Sequence, residues 1–235
     1  MTRLLVSVRD VGEALSAAAA GADFIDLKEP RAGALGGLPL QTIREVVTAL
    51  RRQGATQPIS ATIGDWPMAQ CEAIVAQVLA VADCGVDYVK VGIENEGCAA
   101  DVLQALAGCG RPVVPVFIAD RGVDTQLLAV ACALPFPGLM LDTADKHAGS
   151  LFDCISERAL QRFIEQVRRA GQLAGLAGAL RLQHLPRLRS LAPDFAGFRS
   201  AVCSGARTTE LVPAKVRALR AELCRASALE PGLVS

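Results

Sequence analysis

The stretch LLVSVRDVGEALSAAAAGADFIDLK, residues 4–28, reads as one complete strand–helix–strand unit. LLVSV (4–8) is an apolar run, and Asp10 stands at a helix N-cap position ahead of Val11, Ala14, Leu15 and Ala18, which share one helical face. Gly21 stops the helix, and FIDLK (24–28) opens a second strand. Both strands are apolar runs more than alternating ones, as expected of parallel strands buried on both faces.

The unit recurs along the chain. ISATI (59–63), YVKVGI (88–93), VVPVFI (113–118), GLMLD (138–142), LAGLAGAL (173–180) and FAGFRS (195–200) bring the predicted strands to eight. Helices are expected from about Gln41 to Gln53, Met68 to Cys84, Asp124 to Ala133 and Glu157 to Ala170, with the last starting near Thr209. EPRAGALGGLPL, after the second strand, is rich in Gly and Pro and reads as a loop. Eight units without a break in composition, in 235 residues, predict a single α/β domain, a (β/α)8 TIM barrel over 1–235 with a frayed tail at 230–235. The competing arrangement is an open doubly wound sheet. Its GxGxxG after the first strand is missing, because VSVRDVGEA offers only Gly12, and there is no P-loop.

Composition narrows the function classes. Hydrophobic residues make up 51% and aromatics 4%, so the core is aliphatic. With 24 basic and 24 acidic residues the formal net charge is zero, which gives no footprint for nucleic acid or an anionic membrane. MTRLLVSV is too short an apolar run for a secretory signal, and no stretch approaches the roughly 20 apolar residues of a membrane span. Eight cysteines show no CxxC spacing, and Cys71, Cys84 and Cys132 sit beside alanines in helical stretches. They are expected to be reduced, buried thiols of a cytoplasmic protein. His147 and His184 are too few for a His-based metal centre, so neither a metal nor a cofactor is expected.

Lysine usage points to the chemistry. The chain has four lysines among its 24 basic residues, and three of the four fall at or just beyond strand ends. Lys28 closes FIDLK, Lys90 lies in YVK, and Lys146 follows GLMLDTAD; Lys215, in the final helix, reads as an ordinary surface cation. Only an amine, not a guanidinium, can deprotonate and attack a carbonyl. A free lysine with pKa about 10.4 is uncharged in roughly one molecule in 2,500 at pH 7, so an imine-forming lysine must be aided by burial or a neighbouring cation. A second lysine across a barrel mouth would provide that cation. Asp26 alternates with Lys28 and so faces the same side of the sheet, and Asp142 ends the sixth strand. Both are candidates for moving protons, with structural ion pairs at the barrel end as the alternative. Phosphate binding is expected in the loops after strands seven and eight, AGALR (177–181) and GFRSAVCSGAR (197–207), with Gly178, Arg199 and Ser200 as candidates and Asp120 at the end of strand five.

LLVSVRDVGEAL, GADFIDLKEPRAGALG, YVKVGI and LDTADKHAGSLFD together resemble the (5-formylfuran-3-yl)methyl phosphate synthases of methanofuran biosynthesis, over nearly the whole chain. The resemblance implies an aldolase-like lyase that condenses two molecules of glyceraldehyde-3-phosphate with loss of one phosphate and water. It implies Lys28 as the Schiff-base lysine, Asp26 as its acid/base neighbour, and Lys90, Asp142 and Lys146 as further catalytic residues. The chain departs from the family pattern in the fifth-strand region, where VVPVFIADRG has no lysine and Arg121 is the nearest cation. It also has Ser200 in place of a Gly and Ala179 in place of a Ser. Two alternatives remain open at this point: an imine-forming aldolase for another sugar phosphate, and a barrel that binds a phosphorylated metabolite without reaction. Apolar helices such as 69–84 further suggest a homo-oligomer.

Overall fold

The computed structural model describes residues 1–33, 35–145 and 149–225. Eight parallel strands pair in sequence order and close into a barrel, β1-β2-β3-β4-β5-β6-β7-β8. They are β1 Arg3–Val8, β2 Phe24–Leu27, β3 Ile59–Thr62, β4 Tyr88–Ile93, β5 Val113–Ile118, β6 Gly138–Asp142, β7 Leu173–Leu176 and β8 Phe195–Phe198. The helices between and after them are α1 Val11–Ala19, α2 Leu40–Arg52, α3 Cys71–Ala82, α4 Ala99–Gly108, α5 Thr125–Ala133, α6 Leu151–Cys154, α7 Glu157–Arg169, α8 Leu185–Leu191 and α9 Pro213–Cys224. Lys146 and the tail 230–235 lie outside the described residues.

The elements form where local chemistry asks for them. The Asp10 carboxylate accepts from the Glu13 backbone N–H at 2.9 Å and starts α1, and Asp124 caps α5 by accepting from the N–H groups of Gln126 and Leu127. In α7, Leu160, Phe163, Ile164 and Val167 are buried on one stripe while both flanks stay polar. Such stripes pack on the outside of the sheet and form the larger of two apolar clusters. The smaller cluster fills the barrel's interior, with Leu5, Phe24, Val114, Met140 and Phe195 among its members. Glycines make room there. A Cβ on Gly92 would lie 2.8 Å from Cδ1 of Leu35, and one on Gly175 would collide with the Phe195 ring.

Several predicted boundaries move, and three of the shifts have a plain local setting. The seventh strand stops at Leu176 instead of residue 180, because the chain turns through Gly178 and Ala179, both with positive φ. The eighth stops at Phe198, and Ser200–Val202 forms a 3-10 turn. The last helix starts at Pro213, four residues later than expected from Thr209. The segment between Cys203 and Leu211 is closed on itself by an antiparallel bridge, and Pro213 occupies the first helical turn. The cysteines are not all buried as expected: Cys98 and Cys154 are exposed. Among the described residues no helix is long and apolar enough to cross a membrane.

Candidate functional site

At the C-terminal end of the barrel a cavity of about 550 Å³ opens among the strand ends and the loops that follow them. Its volume is in the ordinary range for small-molecule sites, roughly 300–1,000 Å³. Asp26, Lys28, Lys90 and Asp142 all line it. Parity explains their convergence. Phe24 and Asp26 on β2, Tyr88 and Lys90 on β4, and Met140 and Asp142 on β6 are two residues apart, so each polar group sits one step above an interior apolar one. Lys28 continues this series one residue past β2, and its backbone N–H still donates to Val8 O at 3.0 Å.

Two ion pairs link the four residues. Lys90 Nζ is 2.8 Å from Asp26 Oδ1, across β3, whose Ser60 hydroxyl donates to the same oxygen at 2.6 Å. The Ser7 hydroxyl donates to Asp26 Oδ2 at 3.0 Å. Lys28 Nζ is 3.1 Å from Asp142 Oδ2, which spans the ring because β2 and β6 are opposite strands. The Thr143 backbone N–H donates to Asp142 Oδ1 at 2.8 Å. Depth separates the lysines: the Lys90 side chain is 4% exposed and that of Lys28 is 12% exposed. Burial opposes the charge on Asp26, but the ammonium groups of Lys90 and Lys28 outweigh it and hold the carboxyl below the usual aspartate range.

The expected phosphate region is built differently from its prediction. Gly178 and Ser200 both line the cavity. Gly178 has φ of 111°, and its carbonyl accepts from the Leu151 N–H at 2.9 Å, which seats the turn against α6. Arg199 is not an available donor. Its Nε donates to Arg207 O, Nη1 to Ser7 O and Glu13 Oε2, and Nη2 to Glu13 Oε1 and Thr209 O. Those bonds occupy all five guanidinium N–H groups. Asp120 is also committed to the scaffold. Its two oxygens accept from the N–H groups of Ala144 and Asp145 at 2.7 and 2.8 Å, so it holds the loop after β6 and stands outside the cavity wall formed by the described residues.

Two cations in the wall had no place in the expected site. Lys215, read as a surface cation and indeed exposed, is in the first turn of α9 and also lines the cavity, with its Nζ donating to Cys203 O at 2.6 Å. Arg207 lines it too, and its Nη2 donates to Pro30 O and, at 2.9 Å, to Gly33 O. Arg207 does close the segment GFRSAVCSGAR, so its loop was legible although its side chain was not singled out. Among the described residues no group of three or more His, Cys, Asp or Glu side chains could together hold a metal ion.

The family model described as 4-HFC-P synthase matches residues 4–220. A (5-formylfuran-3-yl)methyl phosphate synthase of Methanopyrus kandleri is 34% identical over 220 residues, covering 86% of this chain and 89% of its own. The protein of the same name from Methanosarcina mazei is 34% identical over 238 residues, covering 95% and 100%. Among solved structures, phosphoribosyl anthranilate isomerase from Thermus thermophilus superposes with a TM-score of 0.66 at 20% identity, covering 94% of this chain and 98% of that one, which is a likeness of fold.

Proposed function

This chain belongs to the 4-HFC-P synthase family, and we propose that it makes (5-formylfuran-3-yl)methyl phosphate from two molecules of glyceraldehyde-3-phosphate through a Schiff base on Lys28. The carrying observation is the Lys28–Asp142 pair, 3.1 Å apart and facing the cavity, with the Lys90–Asp26 pair beneath it. Lys28 is the more accessible amine, so a substrate carbonyl reaches it first. Lys90 stays paired at depth and supplies a fixed positive charge.

In the proposed sequence the Lys28 amine adds to a triose phosphate carbonyl, and loss of water gives the imine. Asp142 is placed to take the proton from the attacking amine and return it to the departing hydroxyl. Deprotonation beside the cationic imine gives an enamine that expels the phosphate of that triose. The terminal carbon so freed, made nucleophilic by the conjugated enamine, adds to the C2 carbonyl of the second triose phosphate after its isomerisation to the ketose. Asp26, kept ionised, can accept the proton in the enolisation step and return it in the dehydration steps, while Lys90 stays charged beside it. Ring closure through the terminal hydroxyl of the second triose with loss of two waters completes the furan, and hydrolysis of the imine frees Lys28 and yields the aldehyde. A metal or organic cofactor has no role in this scheme.

The test is to incubate the protein with glyceraldehyde-3-phosphate and identify the product by ultraviolet absorbance and mass spectrometry. Wild-type protein should yield the furan aldehyde phosphate, and Lys28→Arg should be folded and lower turnover by at least about a thousandfold. A simple aldol product without the furan chromophore would replace the furan reading with that of an ordinary imine aldolase.

A further inference from the structure

The segment from Cys203 to Leu211 forms a strap beside the cavity mouth, tied down along its length. The two ends are bridged to one another, and the Gly205 N–H donates to Thr209 Oγ1 at 2.9 Å. Beneath it Glu13, almost fully buried, receives both Arg9 and Arg199. Those arginines in turn donate to strap carbonyls, Arg9 Nη1 to Thr208 O at 2.7 Å and Arg199 Nε to Arg207 O at 2.7 Å. The backbone of Arg207 is therefore fixed before its side chain does anything. That side chain crosses to the loop after β2, where Nη2 places its two N–H groups on the carbonyls of Pro30 and Gly33.

What remains of the guanidinium is a half-empty fork. Its Nε and Nη1 carry three of the five N–H donors of an arginine and have no hydrogen-bond partner among the described residues. The residue lines the same cavity as Lys28 and Asp142. Burial pulls its pKa down, with the Asp142 carboxylate acting the other way, so the cation is held partly out of water without an ion pair among the described residues. Ser200 and Lys215 line the same cavity from the 3-10 turn and α9. A pre-positioned guanidinium with three unused donors, in the wall of a cavity that also holds Lys28 and Lys215, suits two oxygens of a phosphate monoester.

We propose that Arg207, not Arg199, is the residue that binds a substrate phosphate, with Nε and Nη1 donating to two phosphate oxygens while Nη2 keeps the loop after Lys28 in place. Lys215 adds a second positive charge to that anion site. The assignment rests on the proposed use of phosphorylated trioses, and it specifies how the site distinguishes them from the unphosphorylated sugar.

The test has two parts that fail separately. Calorimetric binding of inorganic phosphate should be weakened about 10- to 100-fold by Arg207→Gln, with Arg207→Lys intermediate and Lys215→Gln weaker by a smaller factor. Reductive trapping on Lys28 should need about 10- to 100-fold more glyceraldehyde-3-phosphate in Arg207→Gln, a clearly larger increase than for unphosphorylated glyceraldehyde, which registers only the lost loop contacts. Undetectable phosphate binding in wild type, or equal binding in wild type and both Arg207 variants, would overturn the assignment. So would parallel loss of trapping for both sugars, which would make Arg207 a structural crossbar only. Arg207-dependent phosphate binding without any imine would leave the anion site standing and refute the Schiff-base function instead. Arg207→Lys, which keeps the charge, serves where Arg207→Gln does not fold.

Discussion

Lys90 Nζ lies 2.8 Å from Asp26 Oδ1, with both side chains almost entirely out of water. A pair like this adds little stability over an apolar pair of similar size, but removing one partner strands the other as an uncompensated buried charge. Asp26→Asn should therefore cost about 3–5 kcal/mol in urea unfolding. Adding Lys90→Met to it should restore a large part of that loss. Additive losses in the double variant would mean the two groups do not interact as the geometry says.

Acid should expose the same carboxylate. The Asp26 pKa is lowered in the folded state, so its contribution to stability is complete above the unfolded aspartate value of about 3.9 and disappears as pH falls from there through the folded value. Asp194, held down by Arg168, contributes in the same direction. The difference between wild type and Asp26→Asn isolates Asp26. That difference should be constant from pH 7 to about pH 5 and shrink below about pH 4. A difference unchanged down to pH 2 would contradict the assigned direction.

Gly178 sits at φ of 111°, and a Cβ there would lie 2.9 Å from Thr143 Cγ2 and 3.2 Å from Leu151 Cβ. Gly178→Ala should cost about 1–3 kcal/mol in stability. It should also lower turnover, because Thr143 donates its backbone N–H to Asp142 and cannot shift alone. A variant with wild-type stability would show that the turn adapts freely.

Glu13 holds Arg9 and Arg199 together under the strap. Glu13→Gln weakens two charge-assisted contacts and should cost about 2 kcal/mol. Amide hydrogen exchange should accelerate in residues 203–211 and remain near wild type in β4 and β5. Uniform acceleration across the barrel would place the ion pair in the global core instead of the strap.

The strand ends were the legible part of the site. Asp26, Lys28, Lys90 and Asp142 follow strand periodicity, so alternation alone brought them to one side of a predicted sheet, and barrel closure brought them to one mouth. Arg199 and Asp120 show where that logic stops. Each was placed correctly near a strand end, but Arg199 spends its donors on Glu13 and on backbone carbonyls while Asp120 accepts from loop N–H groups, and no local pattern records which groups return to meet them. Lys215 and Arg207 are the reverse case. One lies near a helix start and the other in a loop, and they join the cavity wall only because the strap from Cys203 to Leu211 folds back on itself. The end of β7 was overrun for a related reason: LAGLAGAL has no Pro or polar break, and the stop is the positive-φ turn at Gly178 and Ala179.

The central claim is that Lys28 forms an imine with the substrate. It is tested most directly by reducing the protein with borohydride in the presence of glyceraldehyde-3-phosphate and mapping the adduct by peptide mass spectrometry. A reduced triose phosphate on the peptide containing Lys28, absent in Lys28→Arg, is the predicted result. No adduct on any lysine of folded protein, or an adduct confined to Lys90, would contradict it.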